Sequence, residues 1–339
     1  MNLSKQIRSK HHMLVFTLLV VVCFFLSGCN EKAQEKKKYR VGILCGLSYL
    51  AGAADGFKVK MTELGYVEGK NITYENRKTD FDMAVYKNTL KKFVADKVDL
   101  IFVFPTEAAQ EAKAAIQGAN IPVVFTLSNI EGTGLVKSVG KPGGNITGVR
   151  YPVPDIALQR FEIMCELAPQ AKRIWIPYQR GYATVAGQLE VLLPAAASAG
   201  ITLEEGPAND TADLKALLDV RAKSTDIGMD AILFLAEPLT VTPDAFLVMG
   251  EFAAKHKIPI AGALMVVGDY ESVFGLNADI ATTGKQAAVL ADKILKGTPA
   301  GSIAVVSTRP YFRLNYKAAQ ELGLNVSKGL LSKADEIIR

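Results

Sequence analysis

Asp99 to Phe104 reads DLIFVF, and Asp230 to Leu235 reads DAILFL. Both are short, unbroken apolar runs of strand length, and each is followed by a segment of helical character. Their surroundings match as well. Gly65 ahead of the first run corresponds to Gly200 ahead of the second, and Ile121-Pro122 behind the first corresponds to Ile258-Pro259 behind the second, at a nearly constant separation of about 135 residues. Two copies of one α/β lobe is the economical reading.

The rest of the chain fits that unit. Val41–Leu44, Ile72–Tyr74 and Val123–Phe125 join Leu100–Phe104 as strands in the first copy. Ala53–Leu64 reads as a helix closed by Gly65, and Asp80 or Asp82 caps a helix striped by Met83, Tyr86, Leu90, Phe93 and Val94. A third helix runs from Thr106 to about Gln117. The second copy repeats the scheme with strands Arg173–Tyr178, Ile201–Glu204, Ala231–Leu235 and Ile258–Ile260, and helices Val185–Ala199, Leu214–Ala222 and Asp244–Lys255. Strands alternating with helices of this length build parallel sheets. Lys141–Pro154, KPGGNITGVRYPVP, is a candidate crossing between the lobes. After Gly268, strand Phe274–Asn277, helix Ile280–Leu295, strand Ile303–Val306 and helix Tyr316–Leu322 are too short for a third domain. They are expected to cross back and forth, which makes a hinge.

The fold class expected is therefore α/β, two doubly wound parallel-sheet lobes joined by a multi-strand hinge. The boundaries read as 39–148 for the first lobe, with about 275–302, and 149–270 for the second, with about 303–335.

Ahead of the lobes, Lys5, Arg8 and Lys10 precede an apolar run, Met13–Leu26, broken only by Thr17. That run makes a helix of roughly 21 Å, short of a hydrocarbon core of roughly 30 Å, so it reads as an export signal over residues 1–28 rather than an anchor. Leu26-Ser27-Gly28-Cys29 resembles a bacterial lipoprotein signal, which implies cleavage before Cys29 and lipidation of its thiol. Residues 29–38 read as a charged polar tether.

Composition excludes several classes. Of 39 basic residues three lie ahead of Cys29, and 34 acids balance the rest, so no nucleic-acid partner is expected. Four cysteines reduce to Cys45 and Cys165 in the folded part, too few for a disulfide framework, and two separate thiols are the simpler reading. His256 is the one imidazole past the signal and sits where a helix ends. No zinc ligand set, phosphate loop, dinucleotide fingerprint or nucleophile elbow is present, so neither an enzyme nor a metal or cofactor is expected.

Open parallel sheets bind ligands beyond the carboxyl ends of their strands. Those ends are Cys45–Tyr49, Phe104–Glu107 and Thr126–Asn129 in the first lobe, and Tyr178–Tyr182, Ala236–Pro238 and Gly262–Val266 in the second. Facing each other across a hinge, they are placed to enclose a small solute.

GYVEGKNITYE (Gly65–Glu75), FVADKVDLIF (Phe93–Phe102), PTEAAQEA (Pro105–Ala112), NIPVVFT (Asn120–Thr126), GLVKSVGKPGGNITGV (Gly134–Val149) and KILKGTPA (Lys293–Ala300) are similar to the tryptophan/tyrosine-type substrate-binding proteins of ABC transporters. The similarity spans nearly the whole chain after Cys29. It implies a periplasmic-binding-protein type I fold, no enzymatic activity, and a monomer that delivers solute to an ABC permease and its ATPase. Thr106 matches the family's threonine at the first turn of the third helix, and Tyr178 its strand-end tyrosine. The pocket departs from the family at Ser128-Asn129, where Thr-Asp is common, and at Ala261–Val267, where a polar, acid-bearing loop gives way to apolar residues.

The ligand-binding candidates are Ser48, Tyr49, Thr106, Glu107, Ser128, Asn129, Arg150, Tyr178, Glu237 and Asn277, with Tyr151 and Asp279 beside them. Glu107 and Glu237 are candidate amine partners, although a helix dipole also favours a carboxylate in its first turn. Arg150 either clamps an anion or braces the hinge. Trp175 reads as core. The expected function is an extracytoplasmic, lipid-anchored binding protein of an ABC importer for an amino-acid-like or partly apolar solute. A receptor that signals to a membrane sensor kinase or chemoreceptor is the alternative on the same fold.

Overall fold

The computed structural model describes residues 37–339; residues 1–28, read as an export signal, Cys29, and most of the stretch read as a tether lie outside them. In chain order the first part runs β1 (Tyr39–Cys45), α1 (Gly52–Glu63), β2 (Ile72–Lys78), α2 (Met83–Ala95), β3 (Leu100–Phe104), α3 (Thr106–Ala115), β4 (Val123–Ser128) and β5 (Ile146–Arg150). The second runs α4 (Val153–Leu167), β6 (Arg173–Gln179), α5 (Val185–Ser198), β7 (Thr202–Ala208), α6 (Thr211–Ala222), β8 (Ala231–Leu233), α7 (Pro243–His256), β9 (Ile260–Ala261), β10 (Val266–Val267) and β11 (Tyr270–Glu271). Then follow β12 (Phe274–Ala278), α8 (Ile280–Leu295), β13 (Val306–Ser307), β14 (Pro310–Asn315), α9 (Tyr316–Glu321), α10 (Lys328–Lys333) and β15 (Glu336–Ile338).

The first lobe holds a parallel sheet in the order β13-β5-β4-β3-β1-β2. In the second the parallel order is β7-β6-β8-β9, and a bridge from Gly262 to Gly275 continues it into β12-β14-β15. Both sheets are covered on both faces, which explains why their central strands read as continuous apolar runs. Along β3, Leu100, Phe102 and Phe104 face one core while Ile101 and Val103 face the other. Along β6, Ile174, Ile176 and Tyr178 share a core, and Trp175, fully buried, points the opposite way.

The internal repeat holds at the level of single hydrogen bonds. Asp99 Oδ2 accepts from the Arg40 amide at 2.8 Å and Asp230 Oδ2 from the Arg173 amide at 2.9 Å. Ile101 donates to the Pro122 carbonyl and Ile232 to the Pro259 carbonyl, both at 2.9 Å. Gly65 and Gly200 take left-handed φ values of +94° and +66° two residues past the ends of α1 and α5, just after the C-cap residues Leu64 and Ala199, where a side chain would be strained. Asp82 caps α2 through the Ala84 and Val85 amides.

Helix α8, late in the chain, completes the first core by lying against α1. The approach is close because both helices offer glycine: a Cβ on Gly284 would stand 1.9 Å from the Ala53 carbonyl oxygen, and one on Gly56 2.0 Å from that of Ala281. Phe57 of α1 stacks on Phe102 with ring centroids 4.3 Å apart, worth about 0.5–1.5 kcal/mol beyond its burial.

Several expectations change. The crossing read at Lys141–Pro154 ends in a helix start, and the stretch after it, to which no element was assigned, is the helix α4 (Val153–Leu167), because Pro152 and Pro154 are tolerated at a helix start. Strand Ile303–Val306 shrinks to Val306–Ser307, preceded by a single turn at Ala300–Ser302. Residues 275–302 divide: Phe274 and Leu276 of β12 pack in the second core, whereas α8 packs in the first and β13 pairs with β5. The chain thus crosses at β5 to α4, β12 to α8 and β13 to β14. Cys45 is buried, Cys165 half-buried, and both are free thiols.

Candidate ligand-binding site

The carboxyl ends of β1, β3 and β4 form one wall. Phe104-Pro105 leads into α3, so Thr106 and Glu107 sit in its first turn, where amides carry unpaired N–H groups. The Thr106 hydroxyl oxygen accepts from the Asn129 amide at 3.0 Å and ties that turn to the loop after β4. A bulge in β4 places Leu127 at φ +51° and shifts the register against β5 between Phe125 and Ser128. The bulge turns Ser128 inward: it is fully buried and its hydroxyl donates to the Thr126 carbonyl at 3.0 Å. Asn129, 7% exposed, donates through Nδ2 to the Glu131 carbonyl.

Glu107 meets the opposite wall. Its Oε1 accepts from the hydroxyl of Tyr182, on the loop after β6, at 3.2 Å. Its Oε2 is buried with no partner, and so are Asn129 Oδ1 and Thr126 Oγ1. Each unsatisfied polar atom of this kind costs about 1–3 kcal/mol unless a donor reaches it. Burial, then the Glu107 charge and hydrogen bond, push the Tyr182 phenol far up. Tyr49 is 65% exposed, yet its phenol is pushed up to about 12 by desolvation, with Tyr151 and Glu107 adding. Ser48 beside it is held by Asp80, whose carboxylate accepts from the Ser48 amide at 2.7 Å and from its hydroxyl at 3.0 Å.

Other candidates are drawn into structural roles. Glu237 is 6% exposed and saturated: Oε2 accepts from the Gln179 and Leu239 amides, Oε1 from the Thr240 amide and hydroxyl. No capacity is left for an amine, so it pins the loop after β8 to β6. Tyr178 is 9% exposed in the second core, with its hydroxyl on Glu205, because it shares the strand face of Ile174 and Ile176. Arg150 braces the crossings: it pairs with Glu131, and its Nε donates to Ser307 of the neighbouring strand at 2.7 Å. Asp279 caps α8 through the Thr282 amide at 2.7 Å.

Asn277 leads to a residue that the sequence reading passed over. Its Oδ1 accepts from Arg160 Nη2 at 2.6 Å. Arg160 lies on the buried face of α4 with Ile156, Ala157, Phe161 and Met164, and is 2% exposed. Its Nε donates to the Leu276 carbonyl and its Nη1 to that of Phe234, each at 3.0 Å. An arginine on an apolar stripe at helical spacing was the available signal.

The arrangement is a cleft with a paired tyrosine and carboxylate, free buried acceptors and no nucleophile–base pair. The family model described as ABC transporter substrate binding protein matches residues 46–338. The chain belongs to this family. Members are solute-binding proteins of ABC transporters, extracytoplasmic and not enzymes, and this chain is one. A curated relative, "Tyrosine-binding protein" of Clostridioides difficile, is 28% identical, with 89% of this chain and 88% of the relative covered. A conserved domain protein of Vibrio cholerae, solved by crystallography, is 27% identical at a TM-score of 0.73, covering 89% and 99% of the two chains. An ABC domain from Streptococcus pneumoniae in complex with L-Trp shares the fold at a TM-score of 0.75 and 24% identity, covering 89% and 100%. The family's fold, the periplasmic-binding-protein type I arrangement, is thus that of this chain. Among the described residues no helix is long and apolar enough to cross a membrane.

Proposed function

We propose that this binding protein captures a small solute carrying a protonated amine, an amino-acid-like molecule with an apolar or aromatic portion, and delivers it to an ABC importer. The observation that carries the reading is Glu107: it touches Tyr182 across the cleft and keeps one buried carboxylate oxygen unpartnered. An ammonium offers three donors and a charge, which suits Glu107 Oε2 and the free Asn129 Oδ1 together. Tyr49 and Tyr182 supply aromatic walls, and Thr106 and Asn129 hold the first wall in shape. The relatives that bind tyrosine and L-Trp support the same class.

Binding proceeds by closure of the lobes, 39–148 with α8 and β13 against 149–270 with the remaining carboxyl-terminal elements, about the three crossings braced by Arg150. The leader and Cys29 support a lipid-anchored protein that docks on a permease with its ATPase. Covalent acyl chains contribute about 0.8 kcal/mol per buried CH2, and more than one is needed for durable anchoring.

Mass spectrometry of ligand released from denatured protein tests the class. L-tyrosine and L-tryptophan are expected to raise the melting temperature by linkage, and 3-(4-hydroxyphenyl)propionate, which lacks the amine, to do so far less. A released ligand without a basic nitrogen overturns the reading.

A further inference from the structure

Gln188 stands on the buried stripe of α5 with Val185, Leu192 and Ala196, and is itself fully buried. Packing alone would be served by a leucine at that position. The side-chain amide instead grips one distant peptide. Its Oε1 accepts from the Ala236 amide at 2.7 Å, and its Nε2 donates to the carbonyl of the same residue at 3.3 Å. Ala236 lies past the end of β8, beyond the last residue that the neighbouring strands pair with. Gln188 therefore bonds to it as an adjacent strand would, through both its N–H and its C=O. The same nitrogen donates to the Thr184 carbonyl at 3.1 Å, and the Thr184 hydroxyl donates to the Ala236 carbonyl at 3.0 Å. A buried polar network whose members are all satisfied is rigid.

That network falls at a particular place. The loop after β6 carries Tyr182 between Gln179 and Thr184. Its first residue is tied to the loop after β8 by the Gln179 amide, which donates to Glu237 at 3.1 Å, and its last by Thr184 on Ala236. Inside the loop the Tyr182 amide donates to the Gln179 carbonyl, and the Val185 amide to the Tyr182 carbonyl. Both feet of the loop thus stand on residues 236 and 237. What the loop presents to the facing lobe is Tyr182, whose hydroxyl donates to Glu107 at 3.2 Å.

Resting on the reading of Tyr182 as a wall of the cleft, we propose that Gln188 is a positioning residue for the solute. By holding Thr184 against Ala236 it sets the Tyr182 ring and hydroxyl where they meet Glu107 and the apolar portion of the ligand. An arm fixed before the ligand arrives loses little freedom on binding, and affinity rises accordingly.

Two measurements test this on the whole protein. Gln188→Met fills the site without any of these bonds, and Gln188→Glu keeps the acceptor and loses the donor. Fluorine NMR of ligand-free protein carrying 3-fluorotyrosine follows the Tyr182 signal, identified as the one missing from Tyr182→Phe. Calorimetry reads L-tyrosine affinity in a double-mutant cycle of Gln188→Met with Tyr182→Ala. Gln188→Met is expected to shift or broaden the Tyr182 signal and to weaken binding about fivefold or more, but less than about twofold once Tyr182 is replaced. Gln188→Glu is expected to fall between Gln188→Met and wild type in both measurements. A residue that only stabilises its lobe weakens binding equally with and without the Tyr182 side chain. Equal losses in the two backgrounds therefore overturn the proposal, as does an unmoved Tyr182 signal in a folded Gln188→Met protein. If Tyr182→Ala leaves affinity unchanged, or wild type does not bind L-tyrosine, the reading of the cleft falls, and the fluorine signal alone decides whether Gln188 places Tyr182.

Discussion

The Tyr182 hydroxyl donates a 3.2 Å hydrogen bond to Glu107 Oε1, joining the loop after β6 to the first turn of α3. The two residues are held on different sheets, so the bond reports how far the cleft is shut. It also leaves the second oxygen of the same carboxylate buried and free.

Glu107→Gln keeps the shape of the side chain and removes its charge. Affinity for an amine-bearing ligand is expected to fall by about ten- to a hundredfold, the worth of a charge-assisted hydrogen bond of about 1.5–3 kcal/mol. Tyr182→Phe, which keeps the ring, is expected to cost less than about tenfold on the same scale. Calorimetric titration with the ligand identified by mass spectrometry reads both. Equal affinity of Glu107→Gln and wild type removes Glu107 from the site.

Glu237→Gln is expected to behave in the opposite way. Its carboxylate accepts four hydrogen bonds inside the loop after β8, and an amide oxygen and amine cannot replace them all. Urea denaturation is expected to show a loss of about 1–3 kcal/mol. The ratio of affinities between ligands stays unchanged, and a change in that ratio at constant stability contradicts the structural role.

Asp230 sets an acid dependence. Burial raises its carboxyl pKa, but the hydrogen bonds from the Lys172 and Arg173 amides and the Arg173 guanidinium together outweigh that and hold it below the usual range. A depressed native pKa means stability that is present above the unfolded value of about 3.9 and lost as pH falls through the native one. Asp230→Asn is expected to melt lower than wild type at neutral pH, and the gap to narrow below about pH 4. A gap that holds constant down to about pH 2.5 refutes the linkage.

Cys29→Ser is expected to move the protein from the membrane fraction to the soluble fraction of the producing cell, with ligand binding intact. Retention on the membrane at the wild-type level rules out lipidation at this residue.

Gly284→Ala inserts a methyl group where the Ala53 carbonyl already stands. Overpacking of this kind costs about 1–3 kcal/mol or more, because backbone rather than a flexible side chain must yield. Melting by circular dichroism is expected to drop, whereas Gly187→Ala, whose added carbon meets Pro154 only at 3.8 Å, is expected to be neutral.

Much of the architecture was legible because the repeat is written in several independent signals. Asp99 and Asp230 mark strand pairs, Gly65 and Gly200 mark helix ends, and Ile-Pro marks the entry to the next strand. What stayed hidden was direction. Tyr178 lies near the end of β6 and Tyr182 just beyond it, and only strand parity with Ile174 and Ile176 assigns Tyr178 to the core. Glu237 has the chemistry of an amine partner and loses it to donors three residues or fewer away, or on the adjoining strand, a local competition that spacing does not reveal. Arg160 escaped because the segment between the crossing that ends at Pro154 and the strand at Arg173 was assigned no element, so its place on an apolar stripe went unread.

The glycine-lined seam between α1 and α8 has a consequence for biogenesis. The first lobe takes its covering helix from residues 280–295 and its edge strand from 306–307, so a nascent chain that has reached only Gly268 lacks the parts that seal it. The first lobe is thus expected to close only after the carboxyl-terminal part of the chain is available.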